Sequence, residues 1–210
     1  MTRFFEHVLS SHQLAVLGDL APAIAGGGFY LAGGTAVALY LGHRRSDDFD
    51  WFVERFPRQP IDVASSIRAA VPGFAVDEIE EGTVIGTASG VKTSLLAFPY
   101  PRLAPLHDWR DRGVRVADLR DLATMKLLAV AQRGTKRDFV DLHALLESGQ
   151  RLPHMLSDFG ARFGVTDPVS VLRALVYFED AESDPMPDML TSVTWDAVRN
   201  RLEREVERLA

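Results

Sequence analysis

The stretch YLAGGTAVALYLGHRRSDDFDWFV, residues 30–53, decides the fold, because it joins a short strand, a glycine turn, a helix and a second strand. Alanines, leucines and a tyrosine after the two glycines predict a helix that ends at Gly42. Apolar and β-branched or aromatic residues predict strands over 29–32 and 49–53. The order strand, turn, helix, strand brings the end of this stretch back to the glycine turn.

Two aspartates accompany the second predicted strand. Side chains at positions i and i+2 of a strand share a face, so Asp48 and Asp50 project together, roughly 6 to 7 Å apart, while Phe49 points into the core. Burying two unpaired carboxylates is costly unless a cation or hydrogen-bond donors lie between them. The chain has no cysteine, so a metal would need oxygen or imidazole ligands. We therefore predict Asp48 and Asp50 as Mg²⁺ ligands.

The glycine turn is a candidate seat for phosphates. Gly33 and Gly34 let a ligand approach the backbone closely, and the first N–H groups of the helix form an anion site with the Thr35 hydroxyl. Each element alone is more often a plain turn, cap or solvated edge, so the prediction depends on their combination. The sequence has neither GxxxxGK[ST] nor G-x-G-x-x-G, which excludes P-loop and Rossmann nucleotide sites.

Composition limits the classes of protein. The 210 residues, 47% of them hydrophobic, suit one sizeable core and a small second one. No apolar run reaches the ~20 residues that span a bilayer, and the first residues lack a signal peptide's apolar core, so we expect a cytoplasmic protein without a membrane partner. A net charge of -6 argues against nucleic-acid binding through bulk charge, although local basic clusters could still bind it.

The remaining sequence predicts an α+β fold. Helices are predicted over 11–24 and 62–70, and the segments FAVDEIE, TVIGTA and VKTSLLAF predict an antiparallel meander. From about residue 105 the pattern is helical. Four amphipathic segments follow, at 118–132, 137–148, 167–180 and 194–210. We predict an α+β core over residues 1–105 and an all-helical C-terminal domain over 106–210 that completes the cleft.

The segments GGT, HRRSDDFD and KLLAVAQRGTKRDFVDLHALL resemble the AbiEii-type nucleotidyltransferases of the DNA polymerase β-like superfamily, over residues 25–150. The resemblance implies a polymerase β-like core whose mixed or antiparallel sheet has flanking helices. It also implies that the glycine turn and its threonine hold a triphosphate and that the aspartate pair holds Mg²⁺. The implied reaction moves a nucleoside monophosphate from a nucleoside triphosphate to a hydroxyl.

One feature departs from this superfamily, which often carries a third carboxylate on a neighbouring strand. The aligned strand here has Ser94 at that place, on the same predicted face as Lys92. Glu78 or Glu80 on the preceding strand are candidates to replace it. Nucleotide binding is therefore better supported by the sequence than catalysis.

The helical half offers a second constellation. Lys126 and Arg133 are seven residues apart and so share a helix face. Lys126 could simply extend from a core helix to water, but the resemblance implies a catalytic, phosphate-binding lysine. Asp138 and Asp141 lie near a helix start, where dipole capping is the plain alternative. The resemblance implies that Asp138 is catalytic and that Asp141 binds nucleotide, by orienting Lys126 or the acceptor.

Basic residues near these segments suggest a positive rim. Arg44 is a candidate nucleotide ligand, although a cation just after a helix C-terminus is also favoured by the helix dipole. Two further basic clusters are candidates for contact with a nucleotide or a polynucleotide end. For the second cluster, a position in a solvated loop with no ligand explains the arginines equally well. The clusters are Arg133, Lys136 and Arg137, and Arg110, Arg112 and Arg115. His107, His143 and His154 show no metal-binding spacing.

The leading functional hypothesis is a Mg²⁺-dependent nucleotidyltransferase that acts as the toxin of a type IV-like toxin–antitoxin pair. The resemblance implies three partners: a nucleoside triphosphate, an RNA acceptor such as a tRNA end, and a cognate antitoxin protein. Two alternatives stay open. One is transfer to a small molecule, as in aminoglycoside nucleotidyltransferases, and the other is a degenerate nucleotide-binding module.

Overall fold

The computed structural model describes residues 3–209, and its centre is one mixed sheet of seven strands in the order β3-β4-β5-β2-β1-β7-β6. β1 pairs with β7 and β2 with β5 in parallel, and the other neighbours are antiparallel. The strands are β1 Tyr30–Ala32, β2 Asp48–Val53, β3 Phe74–Glu80, β4 Thr83–Ala88, β5 Val91–Ala97, β6 His107–Trp109 and β7 Val114–Val116. The meander predicted for β3 to β5 is confirmed, as is the α+β fold with a mixed sheet.

Helices flank the sheet and form most of the second half of the described chain. They are α1 Ser11–Ala25, α2 Gly33–Leu41, α3 Pro60–Ala70, α4 Leu119–Gln132, α5 Lys136–Glu147, α6 Leu152–Phe163, α7 Val169–Leu175, α8 Glu179–Glu182 and α9 Trp195–Glu207. The helix predicted over 167–180 is wrong in part, because α7 ends at Leu175 and α8 starts at Glu179. None of the helices in residues 3–209 is long and apolar enough to cross a membrane.

The sequence did not predict β6 and β7, which lie beyond residue 105 and belong to the same sheet. Each has only three residues, too few for an alternating pattern, and β7 is fixed by pairing Val116 with Leu31 on β1. The helical part therefore begins at Leu119 rather than at 106, while the division into two domains stays a prediction. Residues 1, 2 and 210, at the ends of the predicted core and of the last predicted helix, lie outside the described residues.

The connection from β1 to α2 places a helix start beside the centre of the sheet. β1 ends at Ala32, which lies opposite Asp50 on β2, and α2 begins at the next residue. A left-handed Gly42 ends the helix. α2 packs against α4 and α5, so the helical half meets the sheet at the end where the chain turns.

Candidate active site

The two aspartates of β2 share a face that opens on a polar pocket. Phe49, Trp51 and Val53 are buried on the opposite face, whereas Asp48 and Asp50 are partly exposed. The pocket has a volume of about 310 Å³. Its lining is Gly34, Arg44, Asp48, Asp50, Lys126, Arg133, Thr135, Arg137, Asp138, Asp184 and Pro185. The structure thus brings together residues from both halves of the chain.

Both glycines of the turn are needed for close packing around this pocket. Gly33 has a φ of +65°, and a Cβ at this position would lie 2.5 Å from Asp50 Oδ2. A Cβ on Gly34 would collide with the Arg44 guanidinium. In the described part of the chain no side chain caps the start of α2, so its first N–H groups are left for another acceptor. This arrangement suits an anion at the helix start.

Thr35 does not present its hydroxyl to the pocket, and this corrects the prediction of a phosphate contact. The residue is fully buried, and its Oγ1 donates to the backbone oxygen of Asp48 at 2.5 Å. The same hydroxyl lies 2.6 Å from Ser46 Oγ. Thr35 therefore ties α2 to the start of β2 and fixes the position of Asp48 relative to the glycine turn.

Asp141 is the fully buried centre of a charged network. It accepts hydrogen bonds from His43 Nε2 at 2.8 Å and from Arg44 Nε and Nη2 at 2.7 and 2.9 Å, and it pairs with Lys126 Nζ at 2.7 Å. Burial would raise the pKa of Asp141, but Arg44 and Lys126 outweigh it and hold the pKa well below the ordinary value. Asp141 is fully buried and is placed to orient Lys126 and Arg44, while its part in nucleotide binding stays a prediction.

Arg44 is also largely committed to this network. Its third guanidinium nitrogen, Nη1, donates to the backbone oxygen of Arg45 at 2.8 Å, and the residue is 3% exposed. Arg44 lines the pocket, but its nitrogens already have partners. The guanidinium contributes positive charge to the pocket wall and holds Asp141, while direct binding of a nucleotide stays a prediction.

Lys126 reaches the pocket from α4 with its ammonium group buried. Nζ lies 3.0 Å from Asp138 Oδ1 in addition to its contact with Asp141, and the residue is 5% exposed. Burial would lower the pKa of Lys126, but the two carboxylates outweigh it and the net shift is upward. The alternative of a lysine extending to water is therefore wrong. An ammonium has three N–H donors, and two of them have partners among the described residues, which leaves one for a ligand.

Asp138 lines the pocket and pairs with Lys126. It also accepts from Arg133 Nε at 2.9 Å and from Thr135 Oγ1 at 2.7 Å. Burial would raise the pKa of Asp138, but Lys126 and Arg133 bring it down to about 2. These contacts place Asp138 to hold Lys126 and Arg133, while its predicted catalytic role stays a prediction.

We expect the Asp138→Asn variant to lose less free energy of unfolding in acid than the native protein does. The pKa of Asp138 is about 2 in the folded protein against an ordinary 3.8, so its contribution is full above pH 4 and is lost as the pH falls toward 2. This difference corresponds to about 2 kcal/mol. Urea unfolding between pH 5 and 2 should therefore show a free energy of unfolding that falls less steeply in the variant. If the free energy of unfolding fell equally steeply with pH in the native protein and the variant, the assigned pKa would be contradicted.

Asp50 carries unfavourable charge in the absence of a bound cation. Burial raises its pKa to about 6, and repulsion from Asp48 adds to this effect, while Lys126, Arg133 and a hydrogen bond with Ser94 oppose it. A cation between the two aspartates would relieve the repulsion. The donor set therefore fits Mg²⁺, which takes one or two carboxylates and completes its shell with water and phosphate oxygens.

Within residues 3–209, no third carboxylate is grouped with this pair to hold a metal. Ser94 lies beside Asp50 in the parallel register of β5 on β2. Glu78 belongs to the same row of residues but is three strands away, ~14 Å at the usual strand spacing. Glu80 is on the same edge strand, so neither glutamate replaces the missing carboxylate. Among residues 3–209, no group of three or more acidic or histidine side chains is placed to hold a metal.

The basic clusters divide between the pocket and other surfaces. Arg133 and Arg137 line the pocket, but Lys136 donates to the backbone oxygens of Glu182 and Asp184 at 3.1 and 2.5 Å. The cluster of Arg110, Arg112 and Arg115 lies elsewhere: Arg112 pairs with Glu6 at 2.7 Å, and Arg110 lines a separate surface pocket. None of these three arginines lines the polar pocket, which favours the solvated-loop alternative for this cluster.

Sequence reasoning missed three contributors to the site. His43 had no role assigned from the sequence, although its ring nitrogen donates to Asp141. Its position directly before Arg44 was the one feature that could have indicated this role. Thr135 precedes α5 as a cap residue but bonds to Asp138 instead of capping the helix with its side chain. Asp184 reaches the pocket through a loop that Lys136 ties down, and nothing in its local sequence indicates this.

Known proteins resemble the chain in sequence and in fold. The family model described as nucleotidyl transferase AbiEii toxin, type IV TA system, matches residues 90–208. An uncharacterized protein of Aquifex aeolicus, strain VF5, is 36% identical over 182 residues, which cover 85% of this chain and 86% of that protein.

Two solved structures share the fold over nearly the whole chain. JHP933 of Helicobacter pylori has 18% identity and a TM-score of 0.57, with 96% of this chain and 93% of that chain covered. MenT4, a nucleotidyltransferase toxin of Mycobacterium tuberculosis H37Rv, has 17% identity and a TM-score of 0.56, with 95% and 82% covered. These likenesses confirm the predicted nucleotidyltransferase fold.

Proposed function

The chain belongs to the AbiEii family of nucleotidyl transferase toxins, and from this premise we propose that it transfers a nucleoside monophosphate from a nucleoside triphosphate to a hydroxyl with the help of Mg²⁺. One observation carries the proposal. The carboxylates of Asp48 and Asp50, the start of α2 at Gly34 and the protonated Lys126 all line one pocket. A triphosphate with its metal ion needs these three kinds of group within one ligand's reach.

Each group has a distinct task in the proposed reaction. Asp48 and Asp50 would hold Mg²⁺, which when bound supplies charge neutralisation of the phosphates and stabilises the attacking and leaving oxygens. The N–H groups at the start of α2 bind phosphate oxygens, and Lys126 donates its remaining N–H to another. The acceptor oxygen bonds to the α-phosphorus, the bond to the pyrophosphate oxygen breaks, and the hydroxyl proton leaves to solvent.

We infer that the acceptor is an RNA end, such as that of a tRNA, and that the reaction takes place in the cytoplasm. Arg133 and Arg137 line the pocket, so their positive charge supports contact with RNA phosphates in addition to those of the nucleoside triphosphate. Because RNA contacts would be confined to this local patch on a protein of net charge -6, binding should be weak away from the pocket. Family membership supports a toxin with an antitoxin partner.

Label transfer from each α-labelled nucleoside triphosphate, with Mg²⁺ and either total RNA or an aminoglycoside as the acceptor, tests the proposal. We expect label in RNA, and we expect Lys126→Met to lower the rate by about 10²-fold because a preorganised charge is lost. Arg120→Met is the control, since it removes a surface ion pair with Asp158 outside the pocket and should leave the rate unchanged. Label in an aminoglycoside but not in RNA would favour the small-molecule alternative, and no label with any acceptor would refute transfer.

A further inference from the structure

A second pocket adjoins the polar one, and most of the side chains that line only this second pocket are apolar. Its volume is about 200 Å³, and it shares Gly34, Asp50, Lys126 and Arg133 with the polar pocket. The rest of its lining is Gly33, Phe52, Leu96, Phe98, Met125, Leu128, Ala129 and Gln132. We call this second pocket the apolar arm. The cleft thus has a charged arm and an apolar arm that meet at Asp50 and Lys126.

β2 and α4, which bring Asp50 and Lys126 to the charged arm, continue into the apolar arm. Phe52 follows Asp50 on the same face of β2 and lies beside Leu96 on β5. Phe98 packs edge-on against Phe52, with ring centroids 5.7 Å apart. On α4, Ala129 comes about one turn after Lys126 and lines the arm with Leu128. The apolar wall is therefore held by the sheet and by α4 rather than by a free loop.

The two pockets differ in the character of their linings, as the two ends of one nucleotide differ in theirs. A nucleoside triphosphate has an anionic tail and a planar base whose faces stack well on apolar and aromatic side chains. We propose that the donor nucleotide places its base in the apolar arm while its phosphates occupy the charged arm. This inference rests on the proposed function, since it assigns a subsite for the donor of that reaction.

Gln132 is the specificity-determining residue in this proposal. Among the described residues that line the apolar arm, it has the one side chain that is polar and uncharged. Its amide can both donate and accept hydrogen bonds, so it can distinguish bases by their polar edges. The aromatic and aliphatic wall contributes affinity for every base, and Gln132 sets the preference among them.

Calorimetric binding of four α,β-methylene nucleoside triphosphates and of inorganic tripolyphosphate, each with Mg²⁺, tests the assignment. The methylene group prevents transfer, and tripolyphosphate lacks a base. Leu128→Ala should weaken binding of all four nucleotides about tenfold, because the base loses its contact with the half-buried Leu128 side chain. The affinity for tripolyphosphate should stay unchanged. Gln132→Ala should bring the four dissociation constants closer together. Leu156→Ala is the matched control, a partly buried leucine on α6 outside the arm.

The outcomes separate this inference from the proposed function. Native protein that binds tripolyphosphate as tightly as the nucleotides would overturn the base subsite and leave the proposed reaction standing. Unchanged nucleotide affinity in Leu128→Ala together with a raised KM for RNA would assign the apolar arm to the acceptor. That result would also overturn the base subsite. Native protein that binds neither the nucleotides nor tripolyphosphate would refute the proposed function itself.

Discussion

Asp50→Asn is expected to abolish transfer and to stabilise the metal-free protein. The substitution removes one of two carboxylates from the proposed metal site, and we expect a rate lower by about 10³-fold. The pKa of Asp50 is about 6 in the folded protein and 3.8 ordinarily, so its effect on stability is fully favourable below pH 3.8 and is lost as pH rises through 6. At pH 8 the asparagine variant avoids this loss of unfolding free energy, which is on the order of 2 to 3 kcal/mol.

Two measurements check this pair of effects. Label transfer to RNA gives the rate, and thermal unfolding at pH 8 with a chelator gives the stability without divalent ions. Asp77→Asn on β3 is the control, because this aspartate is exposed, bonds only to Thr87 in the described chain and lies outside the pocket. A variant that transfers normally, or one that unfolds at a lower temperature than the native protein, would contradict the assigned role.

Asp141→Asn should have the largest effect on stability. The carboxylate is fully buried and neutralises Arg44 and Lys126, so its loss leaves two buried cations with insufficient negative charge. Removing one member of a buried ion pair costs about 3 to 5 kcal/mol. Urea unfolding at pH 7 measures this cost, and the rate of transfer should fall as well because Lys126 loses one of its two anchors.

Asp158→Asn provides the comparison for this prediction. Asp158 accepts two hydrogen bonds from Arg120, both at 2.6 Å, but that arginine is half exposed. Exposed ion pairs contribute about 0.2 to 1 kcal/mol. The two variants remove similar bonds from different surroundings. Equal losses of stability would show that the Asp141 network has no special role in the fold.

The sequence predicted those parts of the site that follow from local geometry. Alternation in β2 places Asp48 and Asp50 on one face because a strand has a period of two, and the structure has this arrangement. The position of the glycine turn was predictable from two adjacent glycines at the start of a helical run. The groups that approach these glycines are the Asp50 and Arg44 side chains, and the predicted phosphate contact stays a prediction. Lys126 was predictable in position from the family resemblance, and the structure places its ammonium in the pocket.

Other parts depend on partners far away in the chain. Asp141 and His43 are 98 residues apart, so no local pattern shows that the histidine donates to the aspartate. The Thr35 hydroxyl was expected to face a ligand because it starts a helix, but Ser46 and the backbone of Asp48 compete for it more effectively. β7 likewise exists because it pairs with β1, which its three residues alone could not indicate.

The central claim is that Asp48 and Asp50 together bind a divalent ion with the nucleotide. Titration of the protein with Mn²⁺, followed by electron paramagnetic resonance in the presence of a non-transferable nucleoside triphosphate, measures this binding directly. We predict a protein-bound Mn²⁺ signal for the native chain and its loss when Asp48→Asn and Asp50→Asn are combined. An equally strong bound signal in the combined variant would contradict the account.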